Sequence, residues 1–539
     1  MLRIKNSKKF FRKKRTIAIS LVVATFLFIS AKKIFEYAAP QIHPKDCDFI
    51  FPNTIDQTKP ISVVSKTPEH LITLAQTGGF INDASCLNKT AVYGVVTIST
   101  VDDVRNALLF ARENNLKVTS AGQHHSMGGQ SFVRNGLVLD MRNFNKITVD
   151  TENKILHTQT GAKWQQIQDM LDTKGLAVKA MQSINIFTVG GTLSVNAHGI
   201  AQNPGPVAST VKSFRIMLSD GEIQTASPIE NPELYASALG GYGLFGVILD
   251  ADIEVVDNEV YDWHTSYIDY KNFPEYYAKN IAGNDQIGLT YSRISISPTS
   301  YLTQTAVHTF VKTAFDEDIP SVKADEHNWM NRLVINFSKT GALGRWTRWT
   351  LEKLAVPRLY SCMTRNQAMS QKEVCLVSRN KKMYDPMEYL KNRLQDTDIL
   401  QEYFIPRNKM PEFVDGLRDI VKDDGANLLN VTIRTVDKDT VTALPYAKED
   451  MFAFVLYFNQ KFNTRESEIL QKTTTDLIDL SNGLSGTYYL PYQLLYSPEQ
   501  LRGAYPEIDT FFATKKKYDP ISLFENTFYQ KYGKTDTNS

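Results

Sequence analysis

The sequence predicts an α+β protein of two or three domains that is held at a membrane by an N-terminal anchor. The chain has 539 residues, which is too long for one compact core. From Val95 to about Val256, β-branched runs alternate with stretches that have the apolar spacing of helices. From about Tyr261 to Gly486, aromatic-rich strands alternate with long amphipathic helices, which indicates a second α+β domain. A charged fraction of 22% and a net charge of +2 are ordinary for a globular protein and do not indicate nucleic-acid binding.

The predicted transmembrane anchor is the uncharged, mostly apolar run from Thr16 to Ala31. It follows a cluster of lysines and arginines, and Lys32 and Lys33 close it. The run is shorter than the ~20 residues that usually cross a bilayer, but lysines that reach the headgroups extend such a span. A cleavable signal peptide is the alternative, although Ile29 and Lys32 flank a poor cleavage site. The heavier basic side would stay cytoplasmic, so we expect a single-pass protein whose folded body lies on the non-cytoplasmic side.

Four cysteines are spread along the chain without the short spacing of a zinc site or a CxxC redox motif. They are Cys47, Cys86, Cys362 and Cys375. A Cys47–Cys86 disulfide would fit an oxidising compartment, whereas unpaired core cysteines are the simpler expectation, which we favour.

In the first folded region, hydrophobic periodicity and turn residues predict each element in turn. Strands are predicted at 95–100, 116–122, 136–150, 154–162 and 245–257. Helices are predicted at 101–115, 164–175 and 231–239. Residues 209–226 are predicted to form a hairpin that turns at Asp220 and Gly221.

The strand predicted at 116–122 leads into a glycine-rich segment with two adjacent histidines and no lysine or arginine. Glycines allow left-handed turns, and successive backbone N–H groups in such turns form a concave nest for an anion such as a pyrophosphate. A plain surface turn is the alternative, but the histidines favour a binding site. No third ligand at a fixed spacing accompanies them, so no metal site is expected. The candidate residues are Gly122, Gln123, His124, His125, Ser126, Met127, Gly128, Gly129 and Gln130.

Two further glycine-bearing segments follow, at residues 188–199 and 240–248. The second is rich in small and hydrogen-bonding residues that suit phosphate, ribitol or ring-edge groups. The third matches GxGxxG, but a dinucleotide fingerprint needs a strand before the loop and a helix after it, and here the order is reversed. We therefore predict a turn packed against a flat ligand, and expect all three segments to converge on it. The candidates in the second and third segments are Gly190, Gly191, Ser194, Asn196, His198, Gly199, Gly246, Val247 and Ile248.

In this order the three segments resemble those of the vanillyl-alcohol oxidase / p-cresol methylhydroxylase family of FAD-linked oxidases. A weaker match returns near the end, where Lys517–Pro520 and Leu523–Asn526 resemble the family's closing KYDP…LFxN signature. The resemblance implies a two-part FAD-binding PCMH-type domain with an α+β cap (substrate) domain over the isoalloxazine ring. The expected divisions are 1–33 for the basic N-terminus and anchor, 34–90 for the tether and the start of the FAD domain, 91–258 for the FAD-binding domain, 259–487 for the cap, and 488–539 for a C-terminal return to the FAD domain.

The resemblance also implies FAD as the cofactor. In many members of the family a histidine of the first loop bonds covalently to the flavin 8α-methyl group. His125 matches that position in the family's H-S/A-x-G-G-Q pattern, so a covalent link at His125 is predicted. A noncovalent histidine that lines the cofactor is the alternative.

Candidate catalytic residues come from the cap and the C-terminal return, because an alcohol substrate needs a base to accept its hydroxyl proton. Arg434 resembles an arginine that aldonolactone and alditol oxidases carry on an equivalent strand, with a solvated surface arginine as the alternative. Several sugar-oxidising relatives carry a functional lysine near the start of the return, but 486–493 contains none. Tyr489 and Tyr492 are the candidate replacements, with core aromatic residues as the alternative.

These features predict an FAD-dependent oxidase or dehydrogenase that transfers a hydride from a CH–OH group of an alcohol, sugar or lactone to flavin N5. A lipid-linked sugar oxidase or a sterol-type double-bond reductase is the second interpretation, and a non-catalytic flavin-binding scaffold is the third. The expected partners are a small-molecule substrate, the membrane, and oxygen or a quinone as the electron acceptor.

Overall fold

A computed structural model describes residues 61–64, 71–202, 205–314, 337–339, 341–359, 362–370 and 396–534. The predicted anchor at 16–31 and the tether that follows it lie outside these residues. Within the described part of the chain, no helix is both long enough and apolar enough to span a membrane.

A five-stranded sheet forms the first half of the first domain and leads into the first glycine-rich loop. Its strands in spatial order are Ile61–Val64, Leu71–Thr77, Gly94–Thr97, Leu137–Asp140 and Val118–Ala121. The helix Val101–Glu113 packs on this sheet and begins where Thr100 and Asp103 each accept a hydrogen bond from the other's backbone N–H. Its predicted apolar face is confirmed, since Val104 and Leu108 are fully buried. The last three strands are parallel, so their C-terminal ends meet at one edge of the sheet.

A six-stranded sheet forms the second half and contains the predicted hairpin. Its strands in spatial order are Ile223–Ala226, Val211–Met217, Val247–Asp257, Ile155–Gln159 and Ile147–Asp150, and Leu176–Val178 pairs with the far end of Val247–Asp257. The hairpin prediction is confirmed by antiparallel pairing around a turn in which Gly221 has a φ of +91°. The helices of this half are Trp164–Asp172, Val189–Ser194 and Pro232–Ala238, with 3₁₀ turns at Met141–Asn143 and Val207–Thr210.

The cap is an eight-stranded antiparallel sheet. Its strands in spatial order are Cys362–Thr364, Val260–Asp269, Gln304–Lys312, Ile287–Ile294, Leu428–Val436, Met451–Lys461, Asp396–Pro406 and Thr487–Tyr488. Every residue of Asp396–Pro406 is buried, because the helices Met410–Asp424 and Thr464–Gly483 pack on one face of the sheet and the first domain covers the other. Polar side chains on this strand therefore need partners inside the protein. The remaining cap helices are Phe273–Asn280, Ala342–Leu359 and Arg365–Ser370, with 3₁₀ turns at Tyr270–Asn272 and Arg407–Lys409.

The C-terminal return packs against the first domain and joins its loops. Oγ1 of Thr527 donates to the backbone O of Gly128 at 2.8 Å. Nδ2 of Asn526 donates to the backbone O of Tyr242, also at 2.8 Å. The return thus ties the first and third loops together. Its helices are Pro498–Ala504, Ile508–Tyr518 and Thr527–Tyr532, and a small two-stranded ribbon, Phe80–Ile81 with Thr90–Ala91, lies elsewhere in the first domain.

Cys86 is disulfide-bonded, so the expectation of unpaired cysteines is wrong. It lies in a tight turn with a φ of +62°, where its backbone N–H donates to the carbonyl of Asp83 at 2.9 Å. Spacing along the chain does not show which cysteines meet in space, and the expectation failed for that reason. The predicted partner, Cys47, lies outside the described residues.

Candidate functional site

The three glycine-rich loops line one cavity, and strands of the cap form part of its wall. Segments that are far apart in the sequence therefore share one binding space. The predicted site residues that line it are Gly122, Gln123, His124, His125, Ser126, Met127, Gln130, Gly190, Gly191, Ser194, His198, Gly246, Ile248, Arg434, Tyr489 and Tyr492.

The first loop presents unpaired backbone N–H groups to this cavity. His124 adopts a left-handed conformation with a φ of +52°. The N–H groups of Gln123, His124 and Ser126 donate to no atom of the described residues, although Gln123 and His124 are buried. Buried N–H groups without a partner are rare, and several in a left-handed turn form a nest for an anion. Gly122 must be small here, because a Cβ on it would lie less than 3.0 Å from Oγ1 of Thr188.

The two histidines of this loop have different surroundings. Nδ1 of His125 lies 2.8 Å from the backbone O of Gln123, and its ring meets Phe187 with 4.2 Å between centroids. His124 stacks on Phe132 at 5.3 Å. Burial lowers the pKa of His125 to about 4 and the pKa of His124 to about 3, so both rings are neutral at neutral pH. A neutral ring retains a nitrogen lone pair that a ligand can engage.

Five predicted cofactor residues do not line the cavity. They are Gly128, Gly129, Asn196, Gly199 and Val247. The glycines permit close packing between segments, as at Gly199, where a Cβ would lie less than 3.0 Å from the carbonyl oxygen of Met181. Asn196 joins the second loop to the cap, since its Nδ2 donates to Asp439 at 2.9 Å. Val247 packs into the core under the first sheet, because neighbouring residues on a strand point to opposite faces.

The third loop has the order that the sequence predicted. The helix Pro232–Ala238 precedes it and the strand Val247–Asp257 follows it, so its GxGxxG match does not form a Rossmann site. Gly246 has a φ of +154°, and a Cβ on it would lie less than 3.0 Å from the carbonyl oxygen of Met217. Glycine is therefore required where this loop turns into its strand.

Residues 82–88, which the sequence analysis did not single out, support the first loop. The carboxylate of Asp83 accepts from the N–H of Gly129 at 2.9 Å and from Nδ2 of Asn88 at 2.7 Å. The N–H of Ala84 donates to the backbone O of His124 at 3.0 Å. Burial raises the pKa of Asp83 to about 6, although these hydrogen bonds favour its charged form. Asp83 and its neighbours thus hold the loop in shape.

Three neighbouring cap strands each supply a side chain to the cavity, namely Arg434, Val455 and Glu402. Thr432 lies opposite Val455, and Val455 lies opposite Glu402, so these residues form one row across the sheet. Arg434 lies opposite Ala453 in the next row. Glu402 and Arg434 therefore project from the two strands that flank Met451–Lys461.

Glu402 forms a buried pair with His198 of the second loop. Nε2 of His198 lies 2.7 Å from Oε1 of Glu402, and the two side chains are only 3% and 2% exposed. The hydroxyl of Tyr492 donates to the other carboxylate oxygen at 3.4 Å. Burial by itself would raise the pKa of Glu402, but His198, Arg434 and Tyr492 together hold that pKa below its ordinary value. Glu402 is therefore a carboxylate at neutral pH.

The two candidate tyrosines differ in what their hydroxyls contact. The hydroxyl of Tyr489 donates to the backbone O of Val195 at 2.8 Å, and burial raises the pKa of Tyr489 well above its ordinary value. The hydroxyl of Tyr492 points to Glu402 instead. Tyr489 thus connects the return to the second loop, whereas Tyr492 contacts the carboxylate.

Glu402 is one of the cavity residues that could not be singled out from the sequence. The available signal was the alternation of Asp398, Leu400 and Glu402, which a strand places on one face. All three line the cavity. The sequence did not reveal what this face meets, because the loops opposite it come from another domain.

The residues of this cavity fit FAD. The free N–H groups of the first loop suit a diphosphate, which needs donors but no lysine or arginine when backbone amides surround it. Oγ of Ser183 and Nδ1 of His198 line the cavity and are buried without a hydrogen-bond partner among the described residues. Buried polar atoms are normally hydrogen-bonded, so these two are suited to polar groups of a bound cofactor or substrate.

Two family profiles match the chain. The profile described as FAD binding domain matches residues 92–227. The profile described as D-arabinono-1,4-lactone oxidase matches residues 251–532. The first match ends at residue 227 and the second begins at residue 251, shortly before the cap strand Val260–Asp269.

Curated relatives match over shorter stretches. Cytokinin dehydrogenase 2 of Arabidopsis thaliana is 28% identical over 44% of this chain and 47% of its own length. L-gulonolactone oxidase of Mus musculus is 28% identical over 29% of this chain and 36% of its own length. D-arabinono-1,4-lactone oxidase of Yarrowia lipolytica is 27% identical over 29% of this chain and 31% of its own length. The matches therefore span between about a third and a half of these relatives.

The lactone oxidase profile covers just over half of the 539 residues, and the FAD-binding profile covers the first two glycine-rich loops. The resemblance inferred from the loops is thereby confirmed. The chain belongs to the D-arabinono-1,4-lactone oxidase family, one of the FAD-linked families of the vanillyl-alcohol oxidase / p-cresol methylhydroxylase type.

Proposed function

We propose that the chain is an FAD-dependent oxidoreductase that oxidises a CH–OH group of an alcohol, sugar or lactone. The observation that carries the proposal is that the carboxylate of Glu402 and the guanidinium of Arg434 line the same cavity as the glycine-rich loops. Family membership and the lactone oxidases among the relatives support this reaction class. FAD, when bound, supplies the two-electron oxidation by accepting a hydride.

Glu402 is the proton acceptor in this proposal. When both electrons of the C–H bond leave as hydride, the C–O bond becomes C=O and the hydroxyl proton passes to a carboxylate oxygen of Glu402. The lowered pKa keeps that oxygen ionised and ready to accept. Tyr489 is a weaker candidate for the base, because its raised pKa makes the phenolate costly to form.

Arg434 and Tyr492 complete the site. Glu402 and Arg434 line the same cavity from the two strands that flank Met451–Lys461, so we place a substrate oxygen between them. There the guanidinium binds that oxygen and stabilises negative charge as the proton leaves. Tyr492 is a positioning residue, since its hydroxyl donates to the carboxylate of Glu402.

The test is Glu402→Gln, with anaerobic bleaching of the flavin by D-arabinono-1,4-lactone, L-gulono-1,4-lactone and a panel of alcohols and sugars. Loss of a general base lowers such rates by about 10²–10⁴-fold. The matched control is Glu412→Gln, a half-exposed glutamate on a cap helix. Full-rate bleaching in Glu402→Gln with FAD bound would exclude Glu402 as the base, and a wild-type flavin that no CH–OH compound bleaches would refute the reaction class.

A covalent bond between FAD and His125 is a second part of the proposal. His125 lies in the cavity wall, and its lowered pKa keeps the ring neutral. The denatured wild-type protein should retain in-gel flavin fluorescence on an SDS gel, and His125→Ala should lose it. A wild-type band without fluorescence means that FAD is held noncovalently.

We also propose that residues 16–31 anchor the protein in a membrane, with its folded body outside the cytoplasm. The disulfide at Cys86 supports a location of the folded body outside the cytoplasm, because disulfides persist in oxidising compartments. Removal of residues 1–33 should move the protein to the soluble fraction, and the body of the full chain should be open to protease added from the non-cytoplasmic side. A truncated chain that stays with the membrane would contradict the anchor.

The electrons then pass to oxygen or to a membrane quinone. Substrate-reduced enzyme should be mixed with oxygen and with a short-chain quinone in parallel. The faster recovery of the oxidised flavin spectrum identifies the acceptor, and this decides between an oxidase and a dehydrogenase.

A further inference from the structure

The strand pattern of the cap divides the cavity floor into a charged part and an apolar part. Glu402 and Leu400 both point into the cavity from the strand Asp396–Pro406, and two residues along a strand are separated by about 7 Å. Val455 lies opposite Glu402 on the next strand. The apolar surface therefore begins beside the carboxylate and continues away from Arg434.

A wall of apolar side chains faces this part of the floor. Leu400 and Val455 form a cluster with Met127 of the first loop, and Ile184 and Phe187 pack against it. This cluster is separate from the main core, and all five residues line the cavity. Ile184 and Phe187 are only partly buried, so they present apolar surface to whatever occupies the cavity.

Asp398, which lines the cavity two residues before Leu400 on the same strand, is already engaged. Asp398 accepts hydrogen bonds from Nδ2 of Asn459 at 2.6 Å and from the hydroxyl of Tyr457. It also pairs with Lys339, whose Nζ lies 3.0 Å from the carboxylate. A sugar hydroxyl placed here would lose its bonds to water and would compete with these contacts for a partner.

We propose that the substrate is amphiphilic. Its hydroxyl-bearing head lies between Glu402 and Arg434, and an apolar substituent lies on Leu400, Val455 and Met127. The role of the head rests on the proposed function, whereas the apolar subsite requires only that a ligand binds. A substituent that spans about 7 Å from the oxidised carbon fills this part of the floor.

The test uses γ-lactones that carry an alkyl substituent but no ring hydroxyl, from γ-valerolactone to γ-decalactone, because these ligands bind without being oxidised at a CH–OH group. Their dissociation constants are measured on the holoenzyme from the change in the flavin spectrum and by isothermal titration calorimetry. Each added methylene should tighten binding about three- to fourfold until the subsite is full.

Two variants test whether the alkyl substituent binds at this part of the floor. Leu400→Asn and Val455→Thr should each reduce the tightening per methylene, and Leu343→Asn, a leucine that is 66% exposed, should leave it unchanged. Dissociation constants that do not vary with chain length in the wild type would overturn the proposal, as would an undiminished dependence in both cavity variants. If chain length matters but hydroxylated lactones never bleach the flavin, the proposed reaction fails and the subsite stands.

Discussion

The first glycine-rich loop and the cap sheet build the same cavity by different means. In the loop, the binding groups are backbone N–H groups that the left-handed turn at His124 leaves free. In the cap, they are the side chains of Glu402 and Arg434, which the pairing of three strands brings together. A binding site made of backbone N–H groups therefore depends on one short stretch of sequence, whereas a site made of side chains depends on the register of strands that are distant in the sequence.

This difference predicts two separable kinds of variant. Changes in the cap should slow the reaction while FAD stays bound. Changes in the loop, or in the residues beneath it, should alter FAD binding or stability. A cap variant that loses FAD, or a loop variant that keeps FAD and only slows the reaction, would break the distinction.

After Glu402→Gln, the largest effect is expected for Arg434→Ala. Removal of a group that stabilises charge in the transition state lowers the rate by about 10²–10³-fold. The flavin-to-protein absorbance ratio should stay at the wild-type value. The matched control is Arg502→Ala, which removes an exposed arginine that is paired with Asp509. Equal rates of flavin reduction in the two variants would show that Arg434 does not take part in the reaction.

Asp83→Asn should change how stability depends on pH. The pKa of Asp83 is raised to about 6 in the folded chain, against 3.8 as its ordinary value. The folded chain therefore holds this proton between about pH 4 and 6 while the unfolded chain releases it. The contribution of Asp83 to stability is full below pH 4 and falls by roughly 3 kcal/mol as the pH rises to 6.

Unfolding of the holoenzyme in denaturant at several pH values measures this difference. The unfolding free energy of Asp83→Asn minus that of the wild type should increase by roughly 3 kcal/mol between pH 4 and 7. A constant difference across that range would mean that Asp83 does not titrate in the window that its burial indicates.

Gly122→Ala tests the loop itself. The added Cβ would lie less than 3.0 Å from Oγ1 of Thr188, so the loop or the second segment must shift. Overpacking of this kind costs about 1–3 kcal/mol, which corresponds to FAD binding weakened by about ten- to hundredfold. The control is Gly483→Ala, where a Cβ would meet open space. Unchanged FAD affinity in Gly122→Ala would show that the close approach of the two segments is unimportant for binding.

The smallest effect at neutral pH is expected for His198→Gln, which concerns the contact between loop and cap. His198 helps to hold the pKa of Glu402 below its ordinary value, and without it burial would raise that pKa. A base must be ionised, so the acidic limb of kcat/KM should move to higher pH in this variant. The control is His157→Gln, an exposed histidine beside Asp252. An acidic limb at the same pH as in the wild type would show that His198 does not set the pKa of Glu402.

Much of the first domain was predictable. Most of its predicted strands, the hairpin at Gly221 and the reversed order around the third loop follow from periodicity and turn residues, which act over a few positions. The single strand predicted at 136–150 is wrong, because the 3₁₀ turn Met141–Asn143 divides it into two strands that belong to different sheets. The same local signals marked Val247 as a cofactor residue, although it points into the core. The position of a loop can be inferred from the sequence, but the direction of each side chain cannot, because that direction depends on where the strand begins.

The cap and the support beneath the loop were less predictable. Asp83 gave no signal, because its partner Gly129 is distant in the sequence and the contact is made by a backbone N–H. The pairing of Cys86 was misjudged because the spacing of cysteines does not show which of them meet in space. Glu402 lay on a strand whose alternation was visible but whose facing surface was not.

The sequence alone was enough to infer three glycine-rich loops and their relation to the strands around them. The FAD-linked family followed from these loops. Those features depend on backbone conformations that glycine permits and that neighbouring residues specify. The contact of Glu402 with His198, the position of Arg434 two strands away and the place of Leu400 in the same cavity wall are visible only in the folded chain. The physical reason is that these contacts arise from strand register and domain packing, which join residues that no local pattern relates.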